Sequence, residues 1–129
     1  IHILGIGGLD DILHGVSSGY DTFDCVSPTR IARHGIMMSK LSSKGINLNN
    51  SKFKDDHSSI DEGCELQEIN KFSKSYIHHL FKANEMLGMT ILSIYNIWFM
   101  NKFFEEIRSS INEDRFEEYK NKILSNLVE

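Results

Sequence analysis

The sequence predicts an α/β fold, and three observations carry that prediction. A short apolar run closed by glycines, from Ile1 to Gly8, is followed by Leu9, Ile12, Leu13 and Val16 at helical spacing. A second short apolar stretch runs from Tyr20 to Val26, and from Lys71 onward the pattern is helical throughout. Strand, glycine turn, helix and strand make a βαβ unit, which requires parallel strands and a right-handed crossover.

Taken in order, Ile1 to Gly8 reads as a buried strand ending in a tight turn. Asp10 or Asp11 is placed to cap the helix that follows, and Gly19 to stop it. Tyr20 to Val26 reads as the second strand, with Asp24 near its carboxyl end. Two parallel strands alone leave unpaired edges and uncovered faces, so further strands are expected ahead of Ile1. Ile1 is also not a start methionine, and the chain reads as the tail end of something longer.

Residues 36–62 change character. Ile36 to Leu41 and Gly45 to Phe53 are short, partly alternating stretches expected as small antiparallel strands or a ribbon. Lys54 to Glu62 reads as a polar loop. Its Asp55, Asp56, His57, Asp61 and Glu62 fit either a hard-cation site or a solvated turn. Beyond Lys71, Tyr76, Ile77, Leu80, Phe81, Asn84 and Leu87 make one stripe, with Ser73 as cap and Gly88 as terminator. Ile91, Ile94, Tyr95, Trp98, Phe99, Phe103 and Ile107 give a second helix a broad apolar face. Asn112 closes that helix or caps the last one, whose stripe is Phe116, Tyr119, Ile123 and Leu127.

With 129 residues, 40% of them hydrophobic and 25% charged, the chain has ordinary globular composition. A net charge of −4 argues against a general electrostatic grip on nucleic acid, although Arg30, Arg33 and His34 form a local basic cluster. No run approaches the ~18 apolar residues of a membrane span. Two cysteines are too few for a disulfide scaffold, so a reducing cytoplasm is expected.

The stretch from Thr22 to Gly35 is the most suggestive. It places Asp24 at a strand end, then the chain's single proline, Pro28, then Arg30 and Arg33 three residues apart. That pattern fits a nucleophile or base in a loop beside an anionic substrate. It equally fits an ordinary turn whose arginines pair with Asp21 or another acid.

Several motifs in one order resolve this. Leu4-Gly5-Ile6-Gly7, Phe23-Asp24-Cys25-Val26, Pro28-Thr29-Arg30 and Arg33-His34-Gly35 come first. Tyr76-Ile77-His78-His79-Leu80, Asn96, Ile107-Arg108-Ser109-Ser110-Ile111 and Arg115-Phe116 follow. Together they resemble the carboxyl-terminal part of the tRNA-guanine transglycosylase, or queuine tRNA-ribosyltransferase, family. The resemblance implies the last two strands of a (β/α)8 barrel in residues 1–35. It implies an insertion resembling a zinc subdomain in 36–90, and barrel-closing and terminal helices in 91–129. It also implies exchange of guanine for queuine or a precursor at the tRNA wobble position, with Asp24 as nucleophile and Arg30 and Arg33 on the anticodon loop. Gly5 and Cys25 would then line the base pocket, though Gly5 also suits a plain strand end and Cys25 a small packing residue.

The family's zinc ligands fall, in register, at Cys64, Leu66, Ile69 and Tyr95, where only Cys64 can ligate. No cofactor is therefore expected, apart from the alternative of a rescued site from Cys64, His57 and His78. The replacements read as a small hydrophobic cluster in the metal's place. Six barrel strands and a second catalytic acid are not in these residues. The expected activity is therefore that of an incomplete copy, which needs an amino-terminal half on another chain or acts as one module of a longer one. The alternatives are a non-catalytic tRNA-binding or subunit-interaction remnant, including a homodimer partner, and a small self-contained α+β domain.

Overall fold

Two three-residue strands, β1 (His2–Leu4) and β2 (Thr22–Asp24), pair in parallel with Leu4 beside Asp24. Helix α1 (Leu9–Ser17) makes the crossover between them, so the βαβ unit forms as the spacing predicts. This is a computed structural model, and it describes residues 1–128. Two details differ from expectation. Gly8, in extended backbone, holds the cap position of α1 without any side-chain bond, while Asp10 and Asp11 lie in the first turn, where they complement the helix dipole. The first strand is not buried: Ile1 and Leu4 are 71% and 69% exposed. Side chains alternate along a strand, and only the Ile3 and Phe23 side meets other elements. Phe23 packs on Phe104 at 5.6 Å, and nothing among the described residues covers the Leu4 side.

The stretch after β2, expected as a loop, coils into a short helix, α2 (Ser27–Ala32), with Pro28 in its first turn, where a missing N–H costs nothing. Strands β3 (Ile36–Ser39) and β4 (Ser42–Asn47) then form an antiparallel hairpin with Met37 opposite Ile46. The second strand lies earlier than the Gly45 to Phe53 expected for it. Asn47 to Asn50 turn the chain and Ser51–Phe53 close a 3-10 turn, so no strand continues there. Residues 54–66 are irregular, ending in a single helical turn, α3 (Gln67–Asn70).

Helix α4 (Lys74–Lys82) starts where Ser73 predicts, its hydroxyl accepting from the Tyr76 N–H at 3.0 Å. Its end is set by Asn84, whose φ of 56° reverses the chain, and not by Gly88. Gly88 instead lies in the first turn of the 27-residue helix α5 (Met86–Asn112). There a Cβ would come within 3.1 Å of the Phe81 ring, so the glycine permits close packing of α4 on α5. Asn112 closes α5, Asp114 turns the chain at φ 55°, and α6 (Phe116–Asn126) follows.

One face of α5 is the spine of the core. Ile91, Leu92, Tyr95, Phe99, Phe103 and Ile107 are buried in one cluster with Ile12 and Leu13 of α1, Met37 and Met38 of β3, and Ile77 and Leu80 of α4. The end of the chain returns to the hairpin, where the Val128 carbonyl accepts from Ser43 and its N–H donates to Leu41.

Gly35 joins α2 to the hairpin at φ 80°, and a Cβ there would lie 2.2 Å from Asn49 Nδ2. Gly19 has φ 90° but open space around it. Gly19→Ala should therefore cost about 1–2 kcal/mol of conformational strain, and Gly35→Ala clearly more. Urea midpoints of the two variants check this, and equal midpoints would mean that Asn49 yields freely.

Candidate active site

Asp24 is the last residue of β2 and is exposed. Its carbonyl accepts from the Gly5 N–H at 2.7 Å, which brings the two strand ends level. Gly5 has φ 78° and nothing within 4 Å of where a Cβ would stand. It is thus both a backbone requirement and an open flank beside Asp24. Cys25 is half-buried and turned toward the helix start, with Sγ 3.1 Å from Ser27 Oγ and accepting from the Ser27 N–H at 3.4 Å. Gly7, the last residue of the first motif and given no role of its own there, lies against it: a Cβ on Gly7 would meet Cys25 Sγ at 2.5 Å.

Arg30 and Arg33 both stand exposed at the far end of α2, without a side-chain ion pair or hydrogen bond among the described residues. Asp21, the candidate partner, pairs instead with the amino group of Ile1. His34 closes the helix, its Nδ1–H donating to the Arg30 carbonyl at 2.8 Å. A cavity of about 260 Å3 adjoins the unit, lined by Gly7, Ser27, Ile31 and the β4 residues Ser42 to Gly45; Asp24 is not part of its wall.

What holds α2 in place is Asn96, fully buried on the core face of α5. Its Nδ2 donates to the carbonyls of Pro28 at 2.9 Å and Ile36 at 3.0 Å, and its Oδ1 accepts from the Met38 N–H at 2.8 Å. One amide therefore ties the start of α2 and both ends of a β3 segment to α5. The signal was present in the sequence as a lone polar residue beside Tyr95 on a helix face otherwise made of Ile91, Leu92, Phe99 and Phe103.

Cys64, Leu66, Ile69 and Tyr95, the positions at which the resemblance implies zinc ligands, lie in or against the core. Cys64 and Ile69 are buried, Leu66 is partly buried against the core, and Tyr95 is 2% exposed. Burial pushes the Cys64 thiol up, and the charges of Asp61 and Glu65 add to this against the opposing N–H of Leu66, so it stays a protonated thiol. The Tyr95 hydroxyl donates to Asp61 Oδ2 at 2.9 Å. The nearby orphan acceptor is Asn70 Oδ1, a hard oxygen, while the Asn70 amide donates to the Cys64 carbonyl. His78 is committed through Nδ1 to the Leu48 carbonyl, and no three His, Cys, Asp or Glu side chains converge among the described residues. One thiol beside two hydrocarbon side chains and a phenol already engaged with a carboxylate does not supply the four ligands that structural zinc takes. The same lack of convergence holds among residues 54–62, where Asp56 Oδ1 accepts from the Ser58 N–H and hydroxyl and Asp61 Oδ2 from the Tyr95 hydroxyl.

Parallel strands with an exposed carboxylate at one strand end, followed by a short helix whose last turn and cap carry two unpaired guanidiniums, make this an α/β protein. The family model described as queuine tRNA-ribosyltransferase matches residues 1–129. Curated relatives carrying that same name include those of Clostridium acetobutylicum (47% identical over 124 residues, 96% of this chain and 32% of that one) and Clostridium tetani (44% over 126 residues, 98% and 33%). Another is that of Dictyoglomus turgidum, 41% identical over 124 residues, 96% of this chain and 31% of that one. The chain belongs to the queuine tRNA-ribosyltransferase family, and it spans about a third of the length of the curated relatives it matches. No helix among the described residues is long and apolar enough to cross a membrane.

Burial, with the Asp61 charge and hydrogen bond added, holds the Tyr95 phenol well above the ordinary tyrosine value. Burial with the Glu106 hydrogen bond does the same for Tyr119. Unfolded tyrosines ionise near pH ~10 while these two keep their protons. The native state then binds more protons, so stability should fall as pH rises above that value. Tyr95→Phe should cost about 1–2 kcal/mol at neutral pH and flatten part of the alkaline loss. Denaturation midpoints from neutral pH into the alkaline range check both, and an unchanged alkaline slope would contradict the buried assignment.

Proposed function

We propose that this chain is the carboxyl-terminal portion of a cytoplasmic (β/α)8-barrel enzyme that exchanges guanine for queuine or a precursor at the wobble position of tRNA. In this reading β1 and β2 are the seventh and eighth barrel strands, and residues 36–90 are the insertion, held without metal. The exposed flank of β1 faces strands that lie in the part of the relatives beyond this match. The observation that carries the proposal is the position of Asp24: an exposed carboxylate on the last residue of a parallel strand, where barrel active sites gather their catalytic groups.

The chemistry needs a nucleophile at C1′ of the ribose and a grip on the RNA. Asp24 attacks C1′ as the bond to guanine N9 breaks; guanine leaves with that electron pair and takes up a proton. The incoming base, giving up its own proton, then displaces the carboxylate from C1′ and restores Asp24. Arg30 and Arg33, unpaired and on one helix, are placed to fork onto backbone phosphates and to stack on splayed anticodon bases. Gly5 leaves the open flank in which a base lies against the strand end, and Cys25 on Gly7 shapes its floor. No metal is required at the reacting carbon.

Alone, the 129 residues should show no exchange of labelled guanine into tRNA. Combined with the remaining part of the family's chain, they should support exchange, and Asp24→Asn should lower kcat by at least about a thousandfold. Arg30→Ala should mainly raise KM for tRNA. Exchange that survives Asp24→Asn would remove the nucleophile role.

A further inference from the structure

Helix α2 has six residues, less than two turns, and a helix that short does not keep its shape or direction by its own hydrogen bonds. What grips its two ends therefore decides where Arg30 and Arg33 point. At the start, Asn96 donates to the Pro28 carbonyl. At the far end, Asn49 Nδ2 donates to the His34 carbonyl at 2.9 Å, and the His34 ring donates in turn to the Arg30 carbonyl. Arg33 is the residue before His34, and its own N–H donates back to the Thr29 carbonyl. Both guanidiniums thus extend from backbone that Asn49 ties down.

Asn49 itself stands on a fixed base. Leu48 beside it is fully buried, its N–H donating to the Gly35 carbonyl at 2.8 Å and its carbonyl accepting from Nδ1 of the buried His78 at 2.7 Å. The Asn49 N–H donates to Asn47 Oδ1 at 3.0 Å, which closes the turn. Gly35 leaves the room that the Asn49 amide occupies, since a Cβ there would fall on Nδ2. Asp24 has a separate support: its carbonyl accepts from the Gly5 N–H of the neighbouring strand end, and neither asparagine bonds to it. The carboxylate and the guanidiniums are held by different anchors.

We propose that Asn49 is a positioning residue for the RNA substrate, acting through Arg30 and Arg33 by holding the far end of α2, and that it leaves the placement of Asp24 untouched. The proposal rests on the RNA-substrate reading above. The test is a double-mutant cycle read by fluorescence anisotropy of a labelled anticodon stem-loop RNA. It compares the 129-residue chain, Asn49→Ala, Arg30→Ala/Arg33→Ala and the variant carrying all three changes, with urea midpoints measured beside each. Asn49→Ala should weaken binding roughly threefold to tenfold when the arginines are present and less than about twofold when they are absent. In exchange assays with the remaining part of the family's chain, Asn49→Ala should raise KM for tRNA and leave kcat within about twofold. The proposal is overturned if Asn49→Ala keeps the parent's affinity, or if its effect is equally large without the arginines, as a loss of general stability would make it. A fall in kcat at unchanged KM overturns it too. RNA binding that is absent in the parent, or unchanged without both arginines, would remove the RNA-substrate reading and this inference with it. A clear arginine effect beside a silent Asn49→Ala removes this inference alone.

Discussion

The arrangement depends on one buried side-chain amide. Asn96 uses both donors and its acceptor on three backbone groups, from Pro28, Ile36 and Met38. Each bond contributes about 1 kcal/mol net, but an unmet backbone group in a dry core costs about 1–3 kcal/mol. The amide therefore matters more as a constraint than as a source of stability. With it in place, α2 has one position on α5, and the arginines at its far end project from a fixed base. The same helix carries Tyr95 one residue earlier, whose hydroxyl reaches Asp61 in the irregular stretch 54–66. Two adjacent residues of α5 thus hold the two parts of the chain that flank it.

Residues 54–70 are fastened to α5 by ordinary interactions. A structural zinc fastens distant segments by directional bonds to thiolates and imidazoles. Here the Cys64 thiol, Leu66 and Ile69 supply apolar contact. Tyr95 supplies one directional bond, and Lys102 adds an exposed pair with Glu65 at 3.0 Å. The exposed pair contributes little. Most of the fastening is therefore burial, which is less directional than ligation, and the Tyr95–Asp61 bond provides the register.

The βαβ unit and the three long helices were legible because apolar spacing and glycines report local structure directly. Ser73 announced its helix start for the same reason. What was not legible depended on partners distant in the chain. Gly88 has the form of a helix terminator, but Phe81 and Leu80 pack where its side chain would be, and Asn84 took the turn instead. Pro28 looked like a loop breaker and became the first turn of α2, a position proline tolerates well. Burial of the first strand was misjudged because its composition reports what it is suited to face, and within these residues nothing faces Leu4. At the site, Asp24 ends its strand as the spacing suggested, while Arg30 and Arg33 fall on a short helix and its cap where a loop was expected. Asn96 was visible as a lone polar residue on an apolar face, but its three backbone partners and the contact of Gly7 with Cys25 were not.

Amide hydrogen exchange in the parent and in Asn96→Ala tests the constraint most directly. If Asn96 holds α2 and β3 on α5, the Met38 amide and those of residues 30–35 should lose protection by roughly tenfold or more beyond any loss at Ile91 and Leu92 in the same variant. A uniform loss across all these amides would mean that Asn96 contributes only to global stability, and no loss at Met38 would contradict the hydrogen bond itself.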